Sequence, residues 1–285
     1  MRKYFFSLSL FLLFLSTNDI QAQLFLQAPP YKKKIKQIIE WNRKGLAEKQ
    51  QKGASSSFDE NGNLTLFQTP QGKSSFFYNG QGQLIKIREE GIQRRLTQIS
   101  YRPKVIIKEL SFHGKVYKTE SYYKNSILLE EKTYVKGMEL GPKFLLKERT
   151  LFQYNKSDSL AQEIHYVYAI PKKKKTKKRK TVYRYHPKTK QLLEKTYLDT
   201  DGSIRKNSVF RYAQGKLTEQ EDYFPFEKRL ARINYLYQAG KLWQKIYQDK
   251  NKKNVWIYAD DRLVRLRSYF GDKIFQIVDY QYVFY

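Results

Sequence analysis

The chain contains no cysteine. Without thiols it has no disulfide framework, although an oxidising compartment would permit one, and the absence of a lipid-anchor cysteine excludes a bacterial lipoprotein of the usual kind. Histidine is nearly missing: His113, His165 and His186 are the only three. They stand far apart, without His-x-x-x-His or Glu-x-x-His spacing, so no zinc site is expected. There is no Gly-x-Ser-x-Gly elbow, no phosphate-binding glycine loop and no dinucleotide fingerprint. Acidic residues are scarce, 27 against 55 Lys and Arg. Their adjacent pairs, Glu89-Glu90 and Glu130-Glu131, would point to opposite faces of a strand and make poor acid–base partners. Asp260-Asp261 falls in a polar turn, where carboxylates are expected anyway. These absences predict a protein that is not an enzyme and uses no cofactor and no metal.

What the chain has in excess is aromatic residues, 24 Tyr and 18 Phe among 285 residues, of which 40% are hydrophobic. Flat amphipathic rings suit a half-buried pleated surface. They recur in a unit: an aromatic residue, a tight polar turn usually built on Gly, a polar or basic residue, then Leu or Ile. Tyr212-Ala213-Gln214-Gly215-Lys216-Leu217 and Tyr237-Gln238-Ala239-Gly240-Lys241-Leu242 are the clearest copies. Phe58-Asp59-Glu60-Asn61-Gly62-Asn63-Leu64 and Tyr78-Asn79-Gly80-Gln81-Gly82-Gln83-Leu84 open the series. In the second half the hydrophobic residue after each turn falls at 192, 204, 217, 230, 242 and 255. Steps of that length fit one short strand, about seven residues, plus one turn. The expected fold is all-β: an antiparallel meander, a repeat sheet of many short hairpins. Both faces of the strands carry aromatics and charges, as in Leu193, Lys195 and Tyr197 against Glu194, Thr196 and Leu198, so the sheet is expected to be only partly covered.

The unit resembles YD-type (RHS-like) repeats and the related MORN-variant repeats, over roughly residues 58–285. Phe58 to Leu64 is nearest to the YD form, while Tyr212 to Leu217 and Tyr237 to Leu242 are nearest to the MORN-variant form. The resemblance implies a β-hairpin array serving as a shell or binding surface rather than a catalytic domain.

Three segments are expected along the chain. Residues 1–22 read as a signal peptide: Arg2 and Lys3, an apolar core from Tyr4 to Leu15, then Ile20-Gln21-Ala22 for cleavage. Its Gln-Ala-Gln ending resembles signal peptides common in Bacteroidetes. Residues 23–57 read as an N-terminal extension with a short amphipathic helix over residues 31–51, where Ile35, Ile38, Ile39 and Leu46 share a helical face, and a linker at Gly53 and Ser55 to Ser57. Residues 58–285 form the hairpin repeat domain.

The net charge of +28 predicts attraction to polyanions. It is densest at Lys172, Lys173, Lys174, Lys175, Lys177, Lys178, Arg179 and Lys180, which follow Pro171. Such a run repels itself and resists burial, so it reads as an exposed, mobile hairpin loop that binds a polyanion. The expected function is an exported binding or cell-envelope assembly module in the periplasm, at the cell surface or outside the cell. Its partners would be an envelope protein or an anionic polymer: polysaccharide, lipopolysaccharide or extracellular nucleic acid. The alternatives are an enzyme and a small outer-membrane β-barrel, the latter of which the terminal Phe284-Tyr285 and the tyrosines would suit. Strands of about seven residues and charges such as Lys195, Arg211 and Arg265 argue against the barrel.

Overall fold

The computed structural model describes residues 35–284 except 45, 47, 48, 92, 93, 138, 139 and 171–173, and gives the backbone alone at 141, 142 and 174–177. The expected signal peptide lies outside the described residues. Twenty strands follow in order. The first are β1 (Ile35–Arg43), β2 (Gln51–Phe58), β3 (Leu64–Thr69), β4 (Gly72–Tyr78), β5 (Leu84–Gly91), β6 (Arg95–Arg102) and β7 (Val105–Phe112). Next come β8 (Lys115–Lys124), β9 (Ile127–Gly137), β10 (Gly141–Tyr154), β11 (Leu160–Ala169), β12 (Lys174–Tyr185), β13 (Leu192–Leu198) and β14 (Ile204–Ala213). The chain closes with β15 (Lys216–Phe224), β16 (Arg229–Gln238), β17 (Lys241–Asp249), β18 (Lys252–Ala259), β19 (Arg262–Phe270) and β20 (Lys273–Phe284).

Each strand pairs antiparallel with its sequence neighbour, and β1 pairs with both β2 and β20. The meander therefore closes into a barrel, which removes every sheet edge. With 20 strands, every seam can be antiparallel. The expected antiparallel meander of hairpins is present, and it closes into a continuous wall.

The repeat unit becomes a bulged hairpin at one rim, the rim that also holds the start of β1 and the end of β20. In each of Phe58/Leu64, Tyr78/Leu84, Tyr123/Leu128, Tyr154/Leu160, Tyr185/Leu192, Tyr212/Leu217, Tyr237/Leu242 and Tyr258/Leu263, the aromatic and the leucine are cross-strand partners at a register shift. The extra residue of a bulge resets the pleat, so the next residue sharing the leucine's face lies three positions on rather than two. Tyrosine hydroxyls then tie neighbouring hairpins together. Tyr78 donates to the Leu64 carbonyl at 2.9 Å, Tyr154 to Leu128 at 2.8 Å, Tyr237 to Leu217 at 3.0 Å and Tyr282 to Leu263 at 2.7 Å.

Three expectations fail. Residues 31–51 hold no helix where described; Ile35 to Arg43 is β1. The misleading Ile35/Ile38 spacing comes from a register shift between Ile35 and Gln37, which puts residues three apart on one face of a strand. Gly53 and Ser55 to Ser57 are not a linker but the body of β2, with Ser55 and Ser56 buried. Strand lengths run from six residues in β3 to 14 in β10, so several exceed the seven expected.

A candidate ligand site on the inner wall

Register assigns every strand residue to one of two faces, because cross-strand partners share a face and the side-chain period is two. The face carrying the repeat aromatics holds Ile38, Glu40, Ser56, Phe58, Ile87, Thr97, Ile99, Ser121, Ser208, Asp222, Ala231, Leu266, Ser268, Val278 and Tyr280, all buried. On a closed curved wall the concave side is the crowded one, so this is the inside. Prominently exposed apolar residues such as Phe77, Tyr223, Leu236 and Phe275 sit on the other face.

The inner wall is not filled throughout. A continuous apolar cluster of Ile35, Ile38, Phe58, Leu64, Leu263, Leu266, Val278 and Tyr280 joins β19 and β20 to β1, β2 and β3, covered by Phe76, Trp256, Tyr258, Tyr282 and Phe284. A smaller one of Leu84, Ile87 and Ile99 continues it through β5 and β6. Across the barrel, every residue of β11 and β13, on both faces, is only half-buried.

One ring of residues organises the lumen. On eight of the ten odd strands it is the position three after the repeat leucine, with Lys108 on β7 and Glu40 on β1 at the matching level, each together with its cross-strand partner on the adjacent even strand. Round the barrel the pairs are Ser56/Phe67, Phe76/Ile87 and Ile99/Lys108, then Ser121/Glu131, Phe152/Glu163 and Tyr183/Lys195. Phe210/Gln220, Tyr235/Lys245 and Trp256/Leu266 follow, and Tyr280/Glu40 completes the ring at the seam. The arc from Trp256 to Ile99 is largely apolar; the remainder interleaves charges with aromatic rings.

These charges are strained by burial in different ways. Burial alone pushes the Glu40 carboxyl up to about 7, because ionising it would strand a charge among apolar side chains. Burial also raises Glu131, opposed by the Ser121 hydroxyl, which donates to it at 2.8 Å, and by Lys108. Burial lowers the Lys108 ammonium, against the pull of Glu89 and Glu131. Tyr183 donates to Glu163 at 2.6 Å. Lys206, one row along, pairs with Asp222 at 2.8 Å. Two ring lysines have no ion pair among the described residues. Lys195 lies 5.1 and 4.8 Å from the Tyr183 and Tyr197 ring centres. Lys245 lies 5.0 Å from Trp256 and 5.8 Å from Tyr235, and burial lowers its pKa.

The outer wall is different in kind. Cross-strand ion pairs run round it: Lys73–Glu90, Arg149–Glu130, Arg184–Glu194, Arg211–Glu219, Arg232–Glu221 and Arg265–Asp279. Each contributes at most about 1 kcal/mol, and they alternate with exposed apolar residues such as Phe77, Tyr223 and Leu236 on the same face.

The basic run is not a loop. Lys174, Lys175, Lys177, Lys178, Arg179 and Lys180 belong to β12 and pair with Ala169, Tyr168, Val167, Tyr166, His165 and Ile164 of β11. On the other side β13 reaches only as far as Lys180. Residues 174–179 therefore form an edge of β12 beyond β13 at the rim opposite the repeat turns, backed by β11, whose residues 165–167 pair in turn with β10. Tyr166, Val167 and Tyr168 are strand formers that supply a backbone partner for the lysines. Lys178 and Arg179 are exposed, and Arg179 reaches Asp199 at 3.3 Å beside a shallow 290 Å³ depression lined also by Ser203 and Phe226. Lys172 and Lys173 lie outside the described residues. The three histidines stay separate: His165 bonds Thr150, His186 accepts from the Thr189 backbone in a turn, and His113 packs on Phe112.

No family model matches the sequence, and no curated protein matches it. Among solved structures, the chain is similar to a porin-like protein from Bacteroides vulgatus ATCC 8482, with TM-score 0.43 and 11% identity over 88% of this chain and 99% of that one. A porin-like protein from Bacteroides uniformis ATCC 8492 gives TM-score 0.40 and 9% identity over 87% and 96% of the two chains. A DUF1329 family protein from Desulfovibrio piger ATCC 29098 gives TM-score 0.18 and 11% identity over 87% and 84%.

Proposed function

We propose that the chain is an exported, non-enzymatic binding barrel of the cell envelope that works in water and holds a ligand against its aromatic inner wall. The observation that carries this reading is the sidedness of the wall: ion pairs outside, and rings and buried polar groups around an unfilled inside. A pocket lined mostly by apolar and aromatic groups with a few placed charges is what a small-molecule site requires. Our reading keeps the hairpin unit as a YD- or MORN-variant-like module, on its aromatic–turn–leucine pattern. It also keeps an anionic polymer or envelope protein as the partner of the outer surface, met at the β11–β12 hairpin.

A second reading, a barrel spanning the outer membrane, is favoured by closure, by the even count of antiparallel neighbours and by the start of β1 and the end of β20 meeting at one rim. The outer wall weighs against it. Lys86, Arg88, Arg149, Arg184, Arg211, Arg232 and Arg265 all point outward from strand interiors. Meeting lipid at mid-depth would cost on the order of 20 kcal/mol together, at about 2–4 kcal/mol each. The test is expression without residues 1–22 and purification with no detergent. A monodisperse folded particle is expected; a protein recoverable only from detergent-extracted outer membrane, with heat-modifiable migration, would replace this reading with the spanning barrel.

A further inference from the structure

Lys245 stands where the two halves of the ring meet. On one side its neighbours are Trp256 and Leu266, which begin the apolar arc; on the other are Tyr235 and the polar half. The opposite boundary cation, Lys108, is compensated by Glu89 and Glu131. Lys245 has no ion pair among the described residues and lies over the Tyr235 and Trp256 rings. A half-buried ammonium loses hydration that two aromatic faces replace in part, and an anion would supply the rest. The ring acid of the apolar arc, Glu40, has its carboxyl pushed up to about 7 by burial, so below that pH it does not repel such a ligand.

Resting on the lumen-binding reading above, we propose that the barrel takes an anionic amphiphile, its carboxylate or phosphate head on Lys245 and its hydrocarbon chain along Trp256, Tyr258 and Phe76. The apolar arc supplies the chain's binding energy, at about 25 cal/mol per Å² buried, and the lysine supplies the choice of head.

The test uses the whole mature chain and matched probes, oleate and oleyl alcohol, followed by the fluorescence of Trp256 with Trp256→Phe as the assignment control. Monododecyl phosphate against dodecanoate tells which head is preferred. Oleate should bind more tightly than the alcohol. Lys245→Met keeps the stem and removes the charge; it should weaken oleate about 10- to 100-fold while leaving the alcohol within about twofold, as losing one charge-assisted contact implies. Lys245→Arg should restore most of the difference. The unchanged alcohol affinity also shows that the methionine variant is folded. Equal binding of acid and alcohol, or indifference of oleate to Lys245→Met, overturns the anion preference and leaves the lumen reading standing. If neither probe binds, both fall.

Discussion

At the scale of single residues, Glu40 shows how closure shapes chemistry. Its strand sits between β2 and β20, and it places the carboxyl opposite Tyr280 in the tightest part of the inner wall. A carboxyl held near 7 when folded, against an ordinary value of 4.5, binds more protons folded than unfolded between those two values. Stability from this group is therefore complete below about pH 4.5 and is lost as pH rises through 7. The 2.5-unit gap corresponds to about 3 kcal/mol. Glu40→Gln has no such slope. Denaturant titrations at pH 4.5 and pH 8 should show the variant gaining about 3 kcal/mol on the natural chain over that interval. A constant difference would mean that the carboxyl is hydrated when folded.

The same residue marks what the sequence hides. The repeat aromatic always faces inward, so stepping back by two along an even strand names its inner residues: Tyr258, Trp256, Asn254, or Tyr237, Tyr235, Ile233. The hairpin turns and this alternation are written plainly in the chain. Glu131, Glu163, Lys195 and Lys245 are not, because the bulge shifts the count from two to three after each leucine. The same step of three at Ile35 and Ile38 imitates a helix. Knowing that a bulge accompanies the turn would have supplied both corrections.

At the scale of elements, the β11–β12 hairpin corrects an expectation based on charge. Mutual repulsion of the lysines predicts a loop only when nothing pairs with them. Here Tyr166, Val167 and Tyr168 provide the partner strand, and lysine is well suited to a projecting edge that must not pair further. The backbone of the run is therefore held extended by its pairing with β11, which favours an extended anionic polymer. Substituting Lys174, Lys175, Lys177 and Lys178 with Gln preserves the strand and removes four charges. On immobilised heparin the slope of log affinity against log salt should fall by roughly 3, at about 0.7–0.9 per lost contact, with the circular dichroism unchanged. An unchanged slope would assign polyanion attraction to the whole +28 field and not to this hairpin.

At the scale of the whole molecule, closure depends on β1 in a way that strand count makes testable. Because β2 and β20 each run antiparallel to β1, they run parallel to one another. A chain lacking β1 has 19 strands and cannot close without a parallel seam, to which neither edge is matched in register. Such a chain also loses Ile35 and Ile38 from its largest apolar cluster and the Trp41–Gln281 side-chain bond. Two unpaired edges, β2 and β20, would then face solvent, and β20 carries Phe275, Ile277 and Val283 on its outer side. Edges of that kind recruit other chains. A chain beginning at residue 51 should therefore appear as dimers and larger species by light scattering, where the full mature chain is a single particle. Adding back a peptide of residues 35–43 should compete with that association by filling the same gap. A truncated chain that stayed monomeric and kept its ligand would mean that the barrel can close on 19 strands, and that the antiparallel seam is dispensable to it.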